Sequence, residues 1–293
     1  MRLQGSPPHR GLSHAGPPSG WLRRRESRAM RRDAGTSAPA ADGGVRSAGG
    51  ESPMHIPYHD YRPASYTNLL DAKVERILGP FQDMLDDDEA SVSSQASPKQ
   101  HFRLRCRFAI TASSDGALRY TLYSGGGARV PVDAFPIASE AINALMPRLI
   151  ATLEDETVVL KECLEATHFL DTLKGGHIVV TLIYSKHFSE EQWLAEARDA
   201  AAALSSVARV SFIGISKGRR VVFGDDFVTE SFGVTLEDGA EHTFRWRQVE
   251  GAFSNPNGHI NRKTMEHICG IVSQIGSREG DLLDLYCGNG NCE

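Results

Sequence analysis

Polar and apolar positions change rhythm several times along this chain, and each rhythm predicts an element. In "TNLLDAKVERILGPF" the apolar residues Leu69, Leu70, Val74, Ile77 and Leu78 recur at helical spacing, and Gly79-Pro80 is expected to stop the helix. In "HFRLRCRFAI" the rhythm is strictly two. Phe102, Leu104, Cys106, Phe108 and Ile110 fall on one face, and His101, Arg103, Arg105 and Arg107 on the other. A strand of that kind belongs to an antiparallel sheet with one packed face and one face in solvent. "GALRYTLY" predicts a second strand, and "YSGGGARV" a glycine turn into a third. "ASEAINALMPRLIATLE" reads as a helix packed through Ala141, Leu145, Leu149 and Leu153, with a kink expected at Pro147.

A hairpin follows, with strands at 165–173 and "HIVVTLIY" joined by Lys174-Gly175-Gly176. Ser189 and Gln192 form a capping box that opens a helix over "SEEQWLAEARDAAAAL". "RVSFIGIS", "RRVVF", "DFVTESFGVTL" and "AEHTFRWRQ" predict four further strands, the last two joined by a turn at Glu237-Asp238-Gly239. Residues 56–250 therefore read as an α+β domain with a largely antiparallel sheet. A helix is predicted over about 258–275. The continuous apolar run "LLDLY" behind it looks like a central parallel strand, the first of a second, α/β domain over 251–293.

Composition separates off both a terminus and a linker. Residues 1–55 are rich in Gly, Ser, Pro, Ala and Arg with almost no aliphatics, too little apolar surface to order a core. They read as a disordered extension or as an over-long start ahead of Met54. The alternative is an organelle transit peptide, since the stretch is Arg-rich and poor in acids. Residues 86–99 form an acidic, serine-rich linker. With 32 basic and 37 acidic residues the formal net charge is -5, so any nucleic-acid surface has to be a local patch. No apolar run reaches the roughly 20 residues that span a bilayer, and no membrane association is expected. The cysteines Cys106, Cys163, Cys269, Cys287 and Cys292 are odd in number and scattered, as reduced thiols in a cytoplasmic protein would be. Cys287 and Cys292 lack the further ligands of a zinc site, so no metal is expected.

Two stretches carry candidate chemistry. Gly288 and Gly290 in "DLLDLYCGNGNCE" would let the backbone turn tightly after a strand and approach a nucleotide-type cofactor; an ordinary strand-to-helix turn has the same pattern. Arg103, Arg105 and Arg107 would project from one strand face at intervals of about 7 Å, near the spacing of phosphates along a nucleic-acid strand. Arg245 and Arg247 repeat the motif, with Phe244 and Trp246 opposite. Such a face can hold RNA by phosphate contacts and stack unpaired bases, and it can equally be a solvated strand face.

"DLLDLYCGNGN" resembles the first cofactor motif of the TrmA-type tRNA (uracil-5-)-methyltransferases. "RQVEGAFSNPNGHIN" is similar to the family's segment before its methyltransferase domain. "YRPASYTNLLDAKVERILGPF", "SPKQHFRLRCRFAI" and "VDAFPIASEAINALM" are similar to its N-terminal domain, so the likeness covers roughly Tyr58 to Asn291. The resemblance implies an RNA-binding α+β domain followed by the start of a Rossmann-like domain. It also implies methyl transfer from S-adenosylmethionine to C5 of the T-loop uridine of tRNA.

Carried over residue by residue, Tyr286, Gly288, Gly290, Asn291 and Asn255 would meet the cofactor. Phe253 would lie near the target base beside the RNA-binding arginines. Asn255 stands where the family has Gln, one methylene longer. C5 of uracil needs a thiolate at C6 and a base for the C5 proton. In the family both groups follow the glycine turn, at positions beyond Glu293. The resemblance thus implies a truncated chain without methyl transfer of its own, and leaves an RNA-binding module as the alternative.

Overall fold

The computed structural model describes residues 58–85, 92–124, 127–235, 239 and 241–274, all within one compact unit. The extension 1–55, linker residues 86–91, the turn residues Glu237 and Asp238, and the strand and glycine turn of 281–293 lie outside the described residues.

Helix α1 (Tyr66–Leu78) follows the predicted periodicity. It ends at Leu78, directly before Gly79-Pro80, as expected. Residues Gly79–Phe81 tighten into a 3-10 turn and the short α2 (Gln82–Leu85) follows, because proline is tolerated in a first helical turn, where its missing N–H is no loss.

Alternation then builds β1 (Arg105–Ala112), whose Cys106, Phe108 and Ile110 are buried. The predicted start at His101 is too early. His101 takes a positive φ of 58° and turns its Nδ1–H to the Ala138 carbonyl at 2.9 Å, out of the arginine row. Next come β2 (Leu118–Tyr123), β3 (Arg129–Pro131) and α3 (Glu140–Glu156), which runs on as helix through Pro147. Ser139 caps α3 by accepting from the Ile142 amide at 3.1 Å, and its hydroxyl donates to Asp171 at 2.6 Å. Strand β4 (Leu164–Leu170) ends three residues before the predicted limit. Beyond it Asp171 and Thr172 leave the ladder to bind the starts of α3 and the Gly175 turn. β5 (His177–Tyr184) completes the hairpin.

Ser189 accepts from the Gln192 amide and opens α4 (Glu190–Ala203), as predicted. Strands β6 (Arg209–Ser216), β7 (Arg219–Phe223), β8 (Phe227–Thr235) and β9 (Glu241–Val249), then α5 (Gly258–Gln274), close the described chain.

Seven strands form one sheet in the order β3-β2-β1-β4-β5-β6-β7. Its pairs are antiparallel except β5 with β6, which are parallel because α4 lies between them and returns the chain to the same end. Strands β8 and β9 do not join this sheet; they pair only with each other, a departure from the single predicted sheet. The reason is their two-sided use. Val228 packs on Leu170, Val179 and Ile213 of the sheet, while Phe232 and Val234 pack on Met265 of α5.

The seven-stranded sheet thus has unequal faces. Helices α3 and α4 cover one with the main core, including Phe108, Phe169, Leu149 and Trp193. The β8-β9 ribbon covers only part of the other. Buried Glu230 holds the ribbon by accepting from the Leu173 and Ser231 amides, each at 3.0 Å.

Gly214 of β6 lies directly under α4. A Cβ there would sit 2.7 Å from the Trp193 indole and 2.9 Å from the Phe188 ring. Trp193 is fully buried, with its indole N–H donating to the Tyr184 hydroxyl at 2.8 Å, so it cannot give way. Gly214→Ala should lower stability by about 1–3 kcal/mol through overpacking. A urea titration read by tryptophan fluorescence measures it, and an unchanged midpoint would show that α4 shifts freely on the sheet.

Candidate nucleic-acid interface

The second face of the sheet gains its chemistry where the chain leaves β9. Glu250 ends the ribbon, and Gly251, at φ 97°, turns the chain back over β1. That backbone conformation is open to glycine and strained for most other residues. The returning segment is tied down by backbone bonds. The Leu104 amide donates to the Pro256 carbonyl at 2.8 Å, and Arg103 bridges Asn257. Asn257 then caps α5 by accepting from the Ile260 amide at 3.1 Å. Gly258 lets the helix start press on Leu104 and Leu173, whose side chains fill the space a Cβ would need.

Arg105 is the side-chain anchor of this crossing. Its Nη1 donates to the Ala252 carbonyl, and its Nη2 lies 3.8 Å from Glu250. The two side chains are only 11% and 7% exposed. His168, the neighbour of Arg107 across the β1–β4 ladder, faces the other Glu250 oxygen at 3.7 Å. Burial opposes charge on Glu250, but His168, Arg105 and Arg107 outweigh it and hold the carboxyl below its ordinary range. Burial likewise pulls the Arg105 guanidinium down, against the support of Glu250.

Sequence alternation therefore placed Arg105 on the right face but not in the right surroundings: it lies beneath the returning chain, whereas a solvent-facing strand residue was expected. Arg103 is also engaged, its Nε donating to the Arg105 carbonyl at 2.8 Å and its guanidinium lying 5.3 Å from the Tyr58 ring centre. Arg107 is exposed. On the ribbon, Arg245 and Arg247 are exposed on the side away from Phe244 and Trp246, as expected, with Arg247 over the Phe227 ring at 4.5 Å.

Arg103, Arg105, Arg107 and Phe253 line one open cavity of about 340 Å³, with Ser254 and Tyr58. Phe253 is 74% exposed at its rim. Behind this lining, Arg105 Nε and Ser254 Oγ are buried without a hydrogen-bond partner, and Arg105 Nη2 and Glu250 Oε2 have only each other, at 3.8 Å. Buried polar atoms without partners are uncommon, and Arg105 and Ser254, which carry two of them, both line the cavity. Asn255 is not among the lining residues; its Oδ1 accepts from the Asn257 amide at 3.0 Å. A larger cavity of about 490 Å³, between α1 and the start of α5, contains none of the candidate residues.

Glu250, Ser254 and His168 were not singled out as site residues from the sequence. Glu250 and Arg105 are 145 positions apart, and no periodicity links them. Tyr286, Gly288, Gly290 and Asn291 lie outside the described residues, as do Cys287 and Cys292. Among the described residues no cluster of three metal-ligating side chains occurs, and no helix is long and apolar enough to cross a membrane.

The family profile described as tRNA (Uracil-5-)-methyltransferase matches residues 65–293. The chain is 42% identical over 236 residues to a tRNA/tmRNA (uracil-C(5))-methyltransferase of Pseudomonas putida strain KT2440, a match covering 79% of this chain and 59% of that protein. A protein of the same description from Neisseria meningitidis is 38% identical over 233 residues, covering 78% and 59%. The chain thus spans about 59% of the length of these relatives. Among solved structures, the Pyrococcus abyssi tRNA (uracil-54, C5)-methyltransferase in complex with S-adenosyl-L-homocysteine is similar at 16% identity and a TM-score of 0.47. That likeness covers 69% of this chain and 48% of the other.

The charge cluster gives a pH-dependent test. Glu250 has a folded pKa below its unfolded value of about 4.3, so its stabilisation is present at neutral pH and is lost as pH falls below that value. Glu250→Gln should cost about 3 kcal/mol at pH 7 by stranding Arg105, and the gap to the wild-type chain should narrow steadily below about pH 4.3. Urea titrations of both proteins at pH 7 and pH 3 measure it; a gap independent of pH would remove Glu250 from the cluster.

Proposed function

This chain belongs to the tRNA (uracil-5-)-methyltransferase family, and on that premise we propose that its described residues are the RNA-holding part of a methyltransferase acting on the T-loop uridine of tRNA. The observation that carries the reading is the cavity lined by Arg103, Arg105, Arg107 and Ser254 and rimmed by exposed Phe253. A phosphate or a uracil carbonyl accepts hydrogen bonds, which is what guanidinium nitrogens and a hydroxyl offer. An exposed aromatic ring supplies a stacking surface for a base taken out of its own stack.

The cofactor in this reading is S-adenosylmethionine, which supplies an electrophilic methyl group when bound. Asn255 is the described residue proposed to meet it, with Tyr286, Gly288, Gly290 and Asn291 completing the set. Asn255 Oδ1 is engaged with the start of α5, and its amide N–H₂ is the group proposed to donate to the cofactor. What the described part does is bind and orient. Arg105, pinned by Glu250 and Ala252, lines the cavity in a fixed position, so little side-chain freedom is lost when an anion arrives.

None of the described thiols, Cys106, Cys163 and Cys269, lines the cavity proposed for the uracil ring. Burial pushes Cys106 up to about 12 and also raises Cys269, keeping both as thiols at neutral pH. Cys106 lies in the main core, away from the cavity. The proposed nucleophile therefore lies outside the described residues.

Phe253→Ala should weaken binding of a T-loop hairpin RNA roughly five- to a hundred-fold, the range for a lost base-stacking contact. Its exposure means the melting temperature should not move. Arg105→Lys keeps the charge but loses the fork, and should weaken binding with little change in its salt dependence. Fluorescence anisotropy with labelled RNA at two salt concentrations reads both effects. Wild-type affinity in both variants would overturn the RNA reading of this cavity.

A further inference from the structure

The cavity at Arg105 does not end at Arg107. A second opening of about 390 Å³ shares Arg107 and Leu122 with it and continues over the uncovered part of the sheet. Strand register explains what lies there. Arg107 stands opposite His168 across the β1–β4 pair, and Tyr123 stands opposite Arg129 across β2–β3. The β1–β2 register places Ala109 against Thr121; two residues further on, Tyr123 falls beside Arg107. The four side chains thus form one transverse row, Arg129, Tyr123, Arg107 and His168, on four adjacent strands about 4.8 Å apart. All four line the second opening.

The row is accessible. Tyr123 is 61% exposed, although large aromatic side chains are usually at least partly covered in a sheet. Arg129 lies over the Tyr123 ring at 5.3 Å from its centre, and its Nη2 donates to the Tyr123 hydroxyl at 3.0 Å. The β8-β9 ribbon, which covers Leu170, Val179 and Ile213 further along the same face, does not reach this end. Glu165 also lines the opening, a carboxylate among Arg107, Arg129 and His168.

We infer that this row is a second RNA subsite, which holds an unpaired nucleotide next to the one in the Arg105 cavity: its base on the Tyr123–Arg129 platform and its phosphate at Arg107 and Arg129. This rests on the RNA reading of the Arg105 cavity given above. Three features favour an RNA strand as the occupant. The opening is continuous with that cavity, cations predominate in it, and aromatic and guanidinium planes stack bases without regard to sequence. Adjacent nucleotides of an extended strand are about 6–7 Å apart, a step the distance between neighbouring rows and strands of the sheet can match.

The test uses the full chain and two RNAs, a T-loop hairpin and the same hairpin shortened to the target uridine and one neighbour on each side. Tyr123→Ala should weaken binding of the longer RNA roughly five- to a hundred-fold. Tyr123→Phe, which keeps the ring, should bind as the wild-type chain does. Arg129→Ala should weaken binding and lower the salt slope of log affinity by about one. The shorter RNA should be much less sensitive to all three. If Phe253→Ala and Arg105→Lys weaken binding while Tyr123→Ala and Arg129→Ala leave both RNAs bound at wild-type affinity, the second subsite is overturned and the cavity reading stands. If none of the four variants weakens binding, both fail together. Unchanged melting temperatures for the two exposed positions separate loss of contact from loss of fold.

Discussion

Arg105 is the constraint on which this face of the protein depends. A guanidinium beneath a returning chain, on a sheet that is otherwise half open, has to find acceptors locally, and it finds them in the Ala252 carbonyl and the Glu250 carboxylate. Those two contacts fix the turn through Gly251 and so fix where Phe253 and Ser254 lie. Isolated buried ions are costly, and the cluster is tolerable because Glu250 faces the Arg105 guanidinium on one oxygen and the His168 ring on the other. Arg105 itself lines the cavity beside Arg103, Arg107 and Phe253. Rigidity and binding capacity thus come from one side chain.

The layering around it follows from how much apolar surface each face offers. Cys106, Phe108 and Ile110 of β1 point into the helical side and complete a core with α3 and α4. The opposite face becomes apolar only toward β5, β6 and β7, where Val179, Ile213, Ile215 and Val222 receive the ribbon. Toward β1, β2 and β3 it carries Arg107, Tyr123 and Arg129, all exposed and lining one open cavity. The open end is therefore written into the side chains of the strands. The ribbon settles where hydrophobic area is available and stops where it is not.

Much of this was legible in the sequence. The period of two through Leu104, Cys106, Phe108 and Ile110 placed β1 correctly, and the Ser189 capping box marked the start of α4 to the residue. Local patterns were less informative where a distant partner decides. His101 continues the alternation in sequence, yet the Ala138 carbonyl draws it into a left-handed turn. Strands β8 and β9 have ordinary strand periodicity, which does not reveal whether they extend a sheet or lie across it. The same limit applies to the site. Arg103, Arg105, Arg107 and Phe253 were all recognisable as candidates and line a common cavity. The Glu250–His168 pair that organises it arises from a crossing between segments far apart in sequence, and Tyr123 with Arg129 becomes a platform only through register.

The central claim is that RNA lies on the open sheet face and under the 250–256 turn, and photo-crosslinking tests it most directly. A tRNA carrying 4-thiouridine in its T loop would be bound to the full chain, irradiated, digested and mapped by mass spectrometry. The account predicts crosslinked peptides containing Phe253 and Tyr123, with neither in α3 nor α4. Crosslinks concentrated on the exposed positions of α3 and α4, with Phe253 and Tyr123 unlabelled, would contradict it.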